Sequence, residues 1–217
     1  MNLETFEIFF WDFDGVIKDS VFVKTEAFEE LFKPYGKKIS SKVKQHHIEN
    51  GGMSRYEKIP LYLKWINIEP TNTNVREMCL QFSKIVKDKV INSNWVPGVT
   101  VFLKSIKSKK NSIIVSATPQ KELEDICIAL NIDKYFSYIY GSPTSKSKAI
   151  KEYINIHRVS PDKCLMFGDA KADIKAAKDN NIKFIFRRHS LNKFIDIESD
   201  IQEINDFNNI KNLFKGM

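Results

Sequence analysis

Asp12 and Asp14 stand two residues apart at the end of an apolar run, in FFWDFDGVIKDS (9–20), and Gly15 follows at once. If the strand continues through them, alternation points both side chains to one face, where two like charges need a cation between them or a proton on one of them. Either arrangement points to chemistry: a metal site, or a nucleophile beside an acid. A solvated Asp-Gly turn is the ordinary alternative. Three further segments end in reactive types. IIVSAT (113–118) delivers Ser116 and Thr118, YIYGSPTSKSK (138–148) delivers Lys146 and Lys148, and CLMFGDAKAD (164–173) delivers Asp169 and Asp173. Singly, Ser116 reads as a helix cap before Pro119, Lys146 as a solvated helix residue and Asp169 as a turn. Jointly, at consecutive strand ends, they bring four acids, a hydroxyl and a lysine to one edge.

The elements that must position these groups are short apolar runs separated by helical patterns. EIFFWDF (7–13), SIIVSA (112–117), YFSYIYG (135–141), CLMFGD (164–169) and IKFIFR (182–187) are predicted strands, several apolar almost throughout, as strands buried on both faces are. PQKELEDICIALN (119–131), SKSKAIKEYINIH (145–157) and AKADIKAAKDNN (170–181) carry apolar residues at helical spacing between them. Such alternation predicts an α/β fold with a doubly wound, Rossmann-like parallel sheet, whose ligands bind at the carboxyl ends of the strands. From 16 to 93 the rhythm breaks into helical patterns at 19–33, 40–49, 54–67 and 73–91, until NWVPGV (94–99) marks the return. The expected organisation is therefore an α/β core of residues 1–15 and 94–217 with an inserted α-helical cap of residues 16–93, set above the strand ends as a lid. After residue 188 a short strand near 199–202 and a terminal helix are expected, and His189 reads as a surface residue.

The 217 residues suffice for a core domain carrying a smaller one, and 42% hydrophobic content is near the globular norm. A formal charge of +7 is spread along the chain, with short clusters such as KSKK (107–110), which fits a surface biased toward anionic substrates. Nucleic-acid binding is not expected, because lysines and aromatics do not interleave in a recognisable module. Cys79, Cys127 and Cys164 are an odd number, widely spaced, and read as reduced core thiols. With neither a signal-like leader nor an apolar stretch of spanning length, a cytoplasmic protein with no membrane partner is expected, as a monomer or homodimer.

DFDGV (12–16), VSAT (115–118), the lysine near 146 and GDAKAD (168–173) occur in the order of the motifs of the haloacid dehalogenase superfamily, which the chain resembles through core and insertion alike. The resemblance implies that Asp12 is a nucleophile forming an aspartyl phosphate and that Asp14 is the general acid, then the base. Ser116, with Ala117 beside it, and Lys146 would bind the phosphoryl group; Lys146 is preferred to Lys148 because it follows GSP sooner. Mg2+ would be held by Asp12, the backbone carbonyl of Asp14, and Asp169, with Asp173 supporting the metal or the lysine from behind. These roles agree with the chemistry. A carboxylate attacks a dianionic ester only when the repulsion is cancelled, and a second carboxyl must carry the proton.

GMSRYE (52–57) is similar to the cap segment of the β-phosphoglucomutase and phosphoglycolate phosphatase branch, which implies that Gly52 and Arg55 contribute to substrate specificity. An arginine fork there suits a second phosphate or a carboxylate. Asp14 argues against the dehalogenases and against phosphonoacetaldehyde hydrolase, which lack that acid. A receiver domain of two-component signalling shares the clustered aspartates but not an insertion of this size. The expected activity is a Mg-dependent phosphatase acting on a small phosphorylated metabolite, with a sugar phosphomutase as the alternative.

Overall fold

The Ile-, Val- and Phe-rich runs pair into one six-stranded sheet in the computed structural model, which describes residues 2–208 and 210. The strands are β1 (Ile8–Trp11), β2 (Asn111–Pro119), β3 (Tyr138–Ser142), β4 (Cys164–Gly168), β5 (Lys183–Arg187) and β6 (Gln202–Ile204), in the order β3-β2-β1-β4-β5-β6. Every pairing is parallel. At the centre, Phe10 is in register with Ile113 of β2 and Met166 of β4. All four β1 residues are buried, which is why that strand reads as continuously apolar. Alternation sends Phe9 and Trp11 into one layer and Ile8 and Phe10 into the other.

Among the described residues the sheet is flanked by α5 (Val99–Ile106), α6 (Gln120–Ala129), α7 (Lys146–His157) and α8 (Lys171–Asp179). Between β1 and α5 lie α1 (Val21–Phe32), α2 (Lys37–Glu49), α3 (Arg55–Trp65) and α4 (Asn72–Asn92). α3 opens with a capping box, in which Ser54 and Glu57 satisfy each other's backbone N–H groups. The Thr71 hydroxyl caps α4 by accepting from Asn74 N. Phe28 of α1 stacks on Phe82 of α4 at 4.0 Å, and both belong to one hydrophobic cluster that continues into the Trp11 layer of the sheet.

The chain leaves and re-enters the sheet side at adjacent points. The Lys18 ammonium donates to Ile91 O at 3.0 Å and to Ser93 O, and lies 4.3 Å from the centre of the Trp95 ring. Asp19 N donates to Asn94 O and Val96 N to Ile17 O, so the two crossings are bonded to each other. β6 begins at Gln202, later than the 199–202 expected, and pairs with β5. The expected terminal helix falls outside the described residues. Among those residues no helix is long and apolar enough to cross a membrane.

Candidate active site

β1 stops at Trp11, so Asp12 and Asp14 do not share a strand face as simple alternation would have them do. Asp12 N still donates to Phe167 O of β4 at 2.9 Å, which fixes this residue at the sheet's end. The chain then turns: Ile17 N and Lys18 N both donate to Phe13 O, and Gly15 N donates to Lys18 O. Gly15 adopts φ +79°, and a Cβ there would lie 2.1 Å from Asp169 Oδ2. Only glycine lets this loop approach the end of β4 so closely. The two carboxylates consequently face different partners around one cavity.

Asp12 Oδ1 accepts from Phe13 N at 2.7 Å and lies 2.9 Å from Lys146 Nζ. Lys146, the first residue of α7, also pairs with Asp173 Oδ1. The other Asp173 oxygen accepts from Asp169 N and Ala170 N, closing the turn from β4 into α8. Burial, then the Asp173 charge, push the Asp12 carboxyl well above its ordinary value, against the pull of Lys146. The same two causes raise Asp169 to about 8. Burial opposes the Lys146 charge, yet the two carboxylates outweigh it and hold the ammonium protonated more firmly than usual. Lys148 lies on the exposed side of α7, 3.6 Å from Glu152, outside the cluster.

Asp14 faces a separate set of donors. Lys24 of α1 pairs with its Oδ2, Ser20 Oγ donates to Oδ1 at 2.6 Å, and Thr118 Oγ1 donates to Oδ2 at 3.2 Å. Burial alone raises this carboxyl, but the Lys24 charge and the hydrogen bonds from Lys24, Ser20 and Thr118 bring it below its ordinary value. Ser116 does not cap α6. Its buried hydroxyl accepts from Thr118 N at 3.1 Å, and Ala117 lines the cavity beside it.

His189 is not a surface residue: its side chain is 8% exposed, and Nε2 lies 2.8 Å from Asp169 Oδ2. Because Leu191 N donates to Nδ1, the ring proton is on Nε2 and points at the carboxylate. Burial and the Arg187 charge push this imidazole down to about 4, so at neutral pH it brings a hydrogen bond and no charge. Asn192 Nδ2 donates to the Asp169 carbonyl from the same turn. Thr118 ends the VSAT segment, whereas Lys24 and His189 have no motif around them. His189 does follow β5 by two residues, and the strand-end logic applied to the other strands would have found it.

From the other side the α2–α3 turn closes the cavity. Gly52, at φ +79°, sits where a Cβ would meet Ala172 at 2.8 Å and come within 3.7 Å of Lys146 Nζ, so the turn rests on the start of α8. Arg55 lines the cavity, but its fork is already bound, to Glu122 of α6 at 2.5 and 2.9 Å and to Ser83 of α4 at 2.6 Å. This buried bidentate pair ties α3 and α4 to the sheet side. The core supplies Asp12, Asp14, Ser116, Ala117, Lys146 and Asp169 to a cavity of about 70 Å³, and Asp173 lies behind Lys146.

Residues 9–187 match the family model of the haloacid dehalogenase-like hydrolases. A phosphorylated carbohydrates phosphatase of Thermotoga maritima is 28% identical over 193 residues, covering 86% of this chain and 87% of that one. A phosphoglycolate phosphatase of Nitrosococcus oceani is 24% identical over 216 residues, 95% and 96% of the two chains. Among solved structures, a predicted phosphoglycolate phosphatase from Haemophilus somnus aligns at a TM-score of 0.77 and 20% identity, over 97% of this chain and 99% of that one, a likeness of fold.

Proposed function

Because the chain belongs to the haloacid dehalogenase-like hydrolase family, we propose that it is a magnesium-dependent phosphatase that hydrolyses a small phosphorylated metabolite through an aspartyl phosphate on Asp12. The observation that carries this reading is the buried bridge Asp12–Lys146–Asp173 at the meeting point of β1, α7 and α8, with Asp169 beside it and Asp14 across the cavity. The names of the two curated relatives, both phosphatases of phosphorylated small molecules, support it.

The residues fit a hard divalent cation. Asp12, Asp169 and Asp173 offer oxygens within 4.8 Å of one another, and with one ammonium and one neutral imidazole among three buried carboxyls the cluster is short of positive charge, which is why Asp12 and Asp169 are pushed toward their protonated forms. An all-oxygen donor set of this kind suits magnesium. Asp12, the Asp14 carbonyl and Asp169 would hold it, with Asp173 orienting Lys146 and the turn below. When bound, the ion cancels the repulsion between carboxylate and ester and polarises the phosphoryl group.

In the first half of the cycle a carboxylate oxygen of Asp12 attacks phosphorus, the ester P–O bond breaks, and Asp14 gives its proton to the departing alkoxide. Lys146 and the Ser116 hydroxyl stabilise the charge on the phosphoryl oxygens. In the second half Asp14 takes a proton from water, the water oxygen attacks phosphorus, and Asp12 leaves as a carboxylate with inorganic phosphate as product. The Lys24, Ser20 and Thr118 contacts favour the ionised form of Asp14 and therefore the second half. Residues 16–93 act as the cap over a core of 1–15 and 94–217, a division supported by the paired crossings at Lys18 and Trp95.

Phosphate release from a panel of about a hundred phosphorylated metabolites tests the proposal, run with Mg2+, with EDTA and with Asp12→Asn protein. Metal-dependent release absent from the variant is the expected result. Isomer conversion without phosphate release would replace hydrolysis by a mutase, and release by the variant would remove Asp12 as nucleophile.

A further inference from the structure

At the cap end of the same cavity stands an ammonium without a counter-ion. Lys58, on α3 one turn after Arg55, is 1% exposed and lines the cavity. Its nitrogen lies 2.9 Å from His47 Nδ1 of α2, and among the described residues no carboxylate reaches ion-pair distance of it. The other charges facing it are already committed or on the outside. Lys24 is paired with Asp14, Arg55 with Glu122, and Glu57 accepts from Ser54 N at the exposed start of α3. His46 and His47 are both held toward their neutral forms by burial and the Lys58 charge.

A buried, unpaired lysine is expensive to retain, and nothing in the packing of the four helices requires one. Phe28, Phe82 and Met53 line the same space and would pack as well against an apolar residue. What Lys58 and His47 do offer is donors: the two N–H groups of the ammonium that His47 Nδ1 does not take, and an imidazole held at Nδ1 by the lysine with its remaining proton on Nε2. No acceptor is left uncovered between them. An anion entering the cavity would supply the missing charge beside an ammonium that burial withholds from solvent.

We propose that Lys58 and His47 form a receptor for a second anionic group on the substrate, a carboxylate or a second phosphate, at the end of the cavity opposite the phosphoryl site. This rests on the phosphatase reading and names the substrate class within it: a short phosphate ester with an anion at its far end. The cavity is small, about 70 Å³, which suits a link of few atoms between the two anions. Arg55 is spent on Glu122, so the lysine takes the part that the sequence suggests for the arginine.

The test is a comparison of 2-phosphoglycolate, ethylene glycol bisphosphate and ethyl phosphate, which share one reacting group and differ only in the tail. Wild-type kcat/KM for at least one anionic-tailed ester should exceed that for ethyl phosphate by about 10- to 100-fold, mainly through KM, the worth of a charge-assisted hydrogen bond. Which of the two leads tells carboxylate from phosphate. Lys58→Met should erase the preference and Lys58→Arg restore part of it, with Lys58→Gln as a second neutral variant and thermal melting to show that each is folded. Equal kcat/KM across the three esters, or a preference that survives Lys58→Met and Lys58→Gln, overturns the receptor. Should none of the three release phosphate, the phosphatase reading is decided by the wider metabolite panel. Calorimetric binding of the same esters to Asp12→Asn protein then still decides whether the tail is recognised.

Discussion

The two ends of the cavity are charged on opposite plans. At the sheet end one ammonium, Lys146, bridges Asp12 and Asp173, with a third carboxylate, Asp169, beside them, so acids outnumber the cation that pairs with them. At the cap end two cations stand one turn apart on α3; one is fully paired and the other has no carboxylate. On the proposed function an anionic substrate would be met in two ways in one space, through a metal held by the carboxylates at one end and directly by a side chain at the other. The difference teaches that burial of charge is not one design. Lys146 and Arg55 are held by partners within the protein, whereas Lys58 is left to be completed by a ligand.

Substitutions at the two ends should separate these plans. The largest effect is expected at the sheet end: Asp12→Asn should reduce turnover by roughly 10⁴-fold or more while far-UV dichroism stays that of the native fold. Next comes Arg55→Met, which strands Glu122 in a buried setting and should lower stability by about 3–5 kcal/mol in urea unfolding. If that loss is below about 1 kcal/mol, the pair is not the tie between cap and sheet side that its geometry implies.

Three residues along the same helix the sign should invert. Burial, then the Lys24 charge, lower Lys58 from 10.5 to about 7, so between those pH values the unfolded chain binds the extra proton and stability rises with pH. The penalty is complete at or below pH 7 and gone near 10.5. Lys58→Met should thus stabilise the protein by roughly 2–4 kcal/mol at neutral pH, with the gain shrinking toward pH 10. Glu57 and Asp14 favour the charged form and Lys24 opposes it. A gain independent of pH would mean that packing, and not charge, sets the effect. The smallest change is expected for Lys148→Ala, under about twofold in kcat/KM, because that side chain is outside the cluster.

Much of the sheet end was legible along the chain because strand ends in a parallel sheet converge by topology. Once β1, β2 and β4 are recognised from their apolar runs, Asp12, Ser116 and Asp169 must lie at one edge, and the spacing from Asp169 to Asp173 is one helical turn. The cap end was not legible in that way. Whether Arg55 reaches a substrate or Glu122 depends on how α3 packs over α6, 67 residues away, and Lys58 has no pattern to mark it as buried. Along the chain His189, two residues past a strand, looks solvated; the turn through Asn192 folds it back on Asp169.

What the sequence determined alone was the parallel α/β sheet, the helical stretch after β1 and the acids gathered at its strand ends, since apolar periodicity and fixed offsets are local properties of a chain. Tertiary structure alone decided the sharing of partners: Lys146 between two aspartates, Lys24 on Asp14, Arg55 on Glu122, and Lys58 on none. Ion pairing over a few ångströms depends on side-chain direction and on what burial excludes, and neither is set until distant segments are packed together.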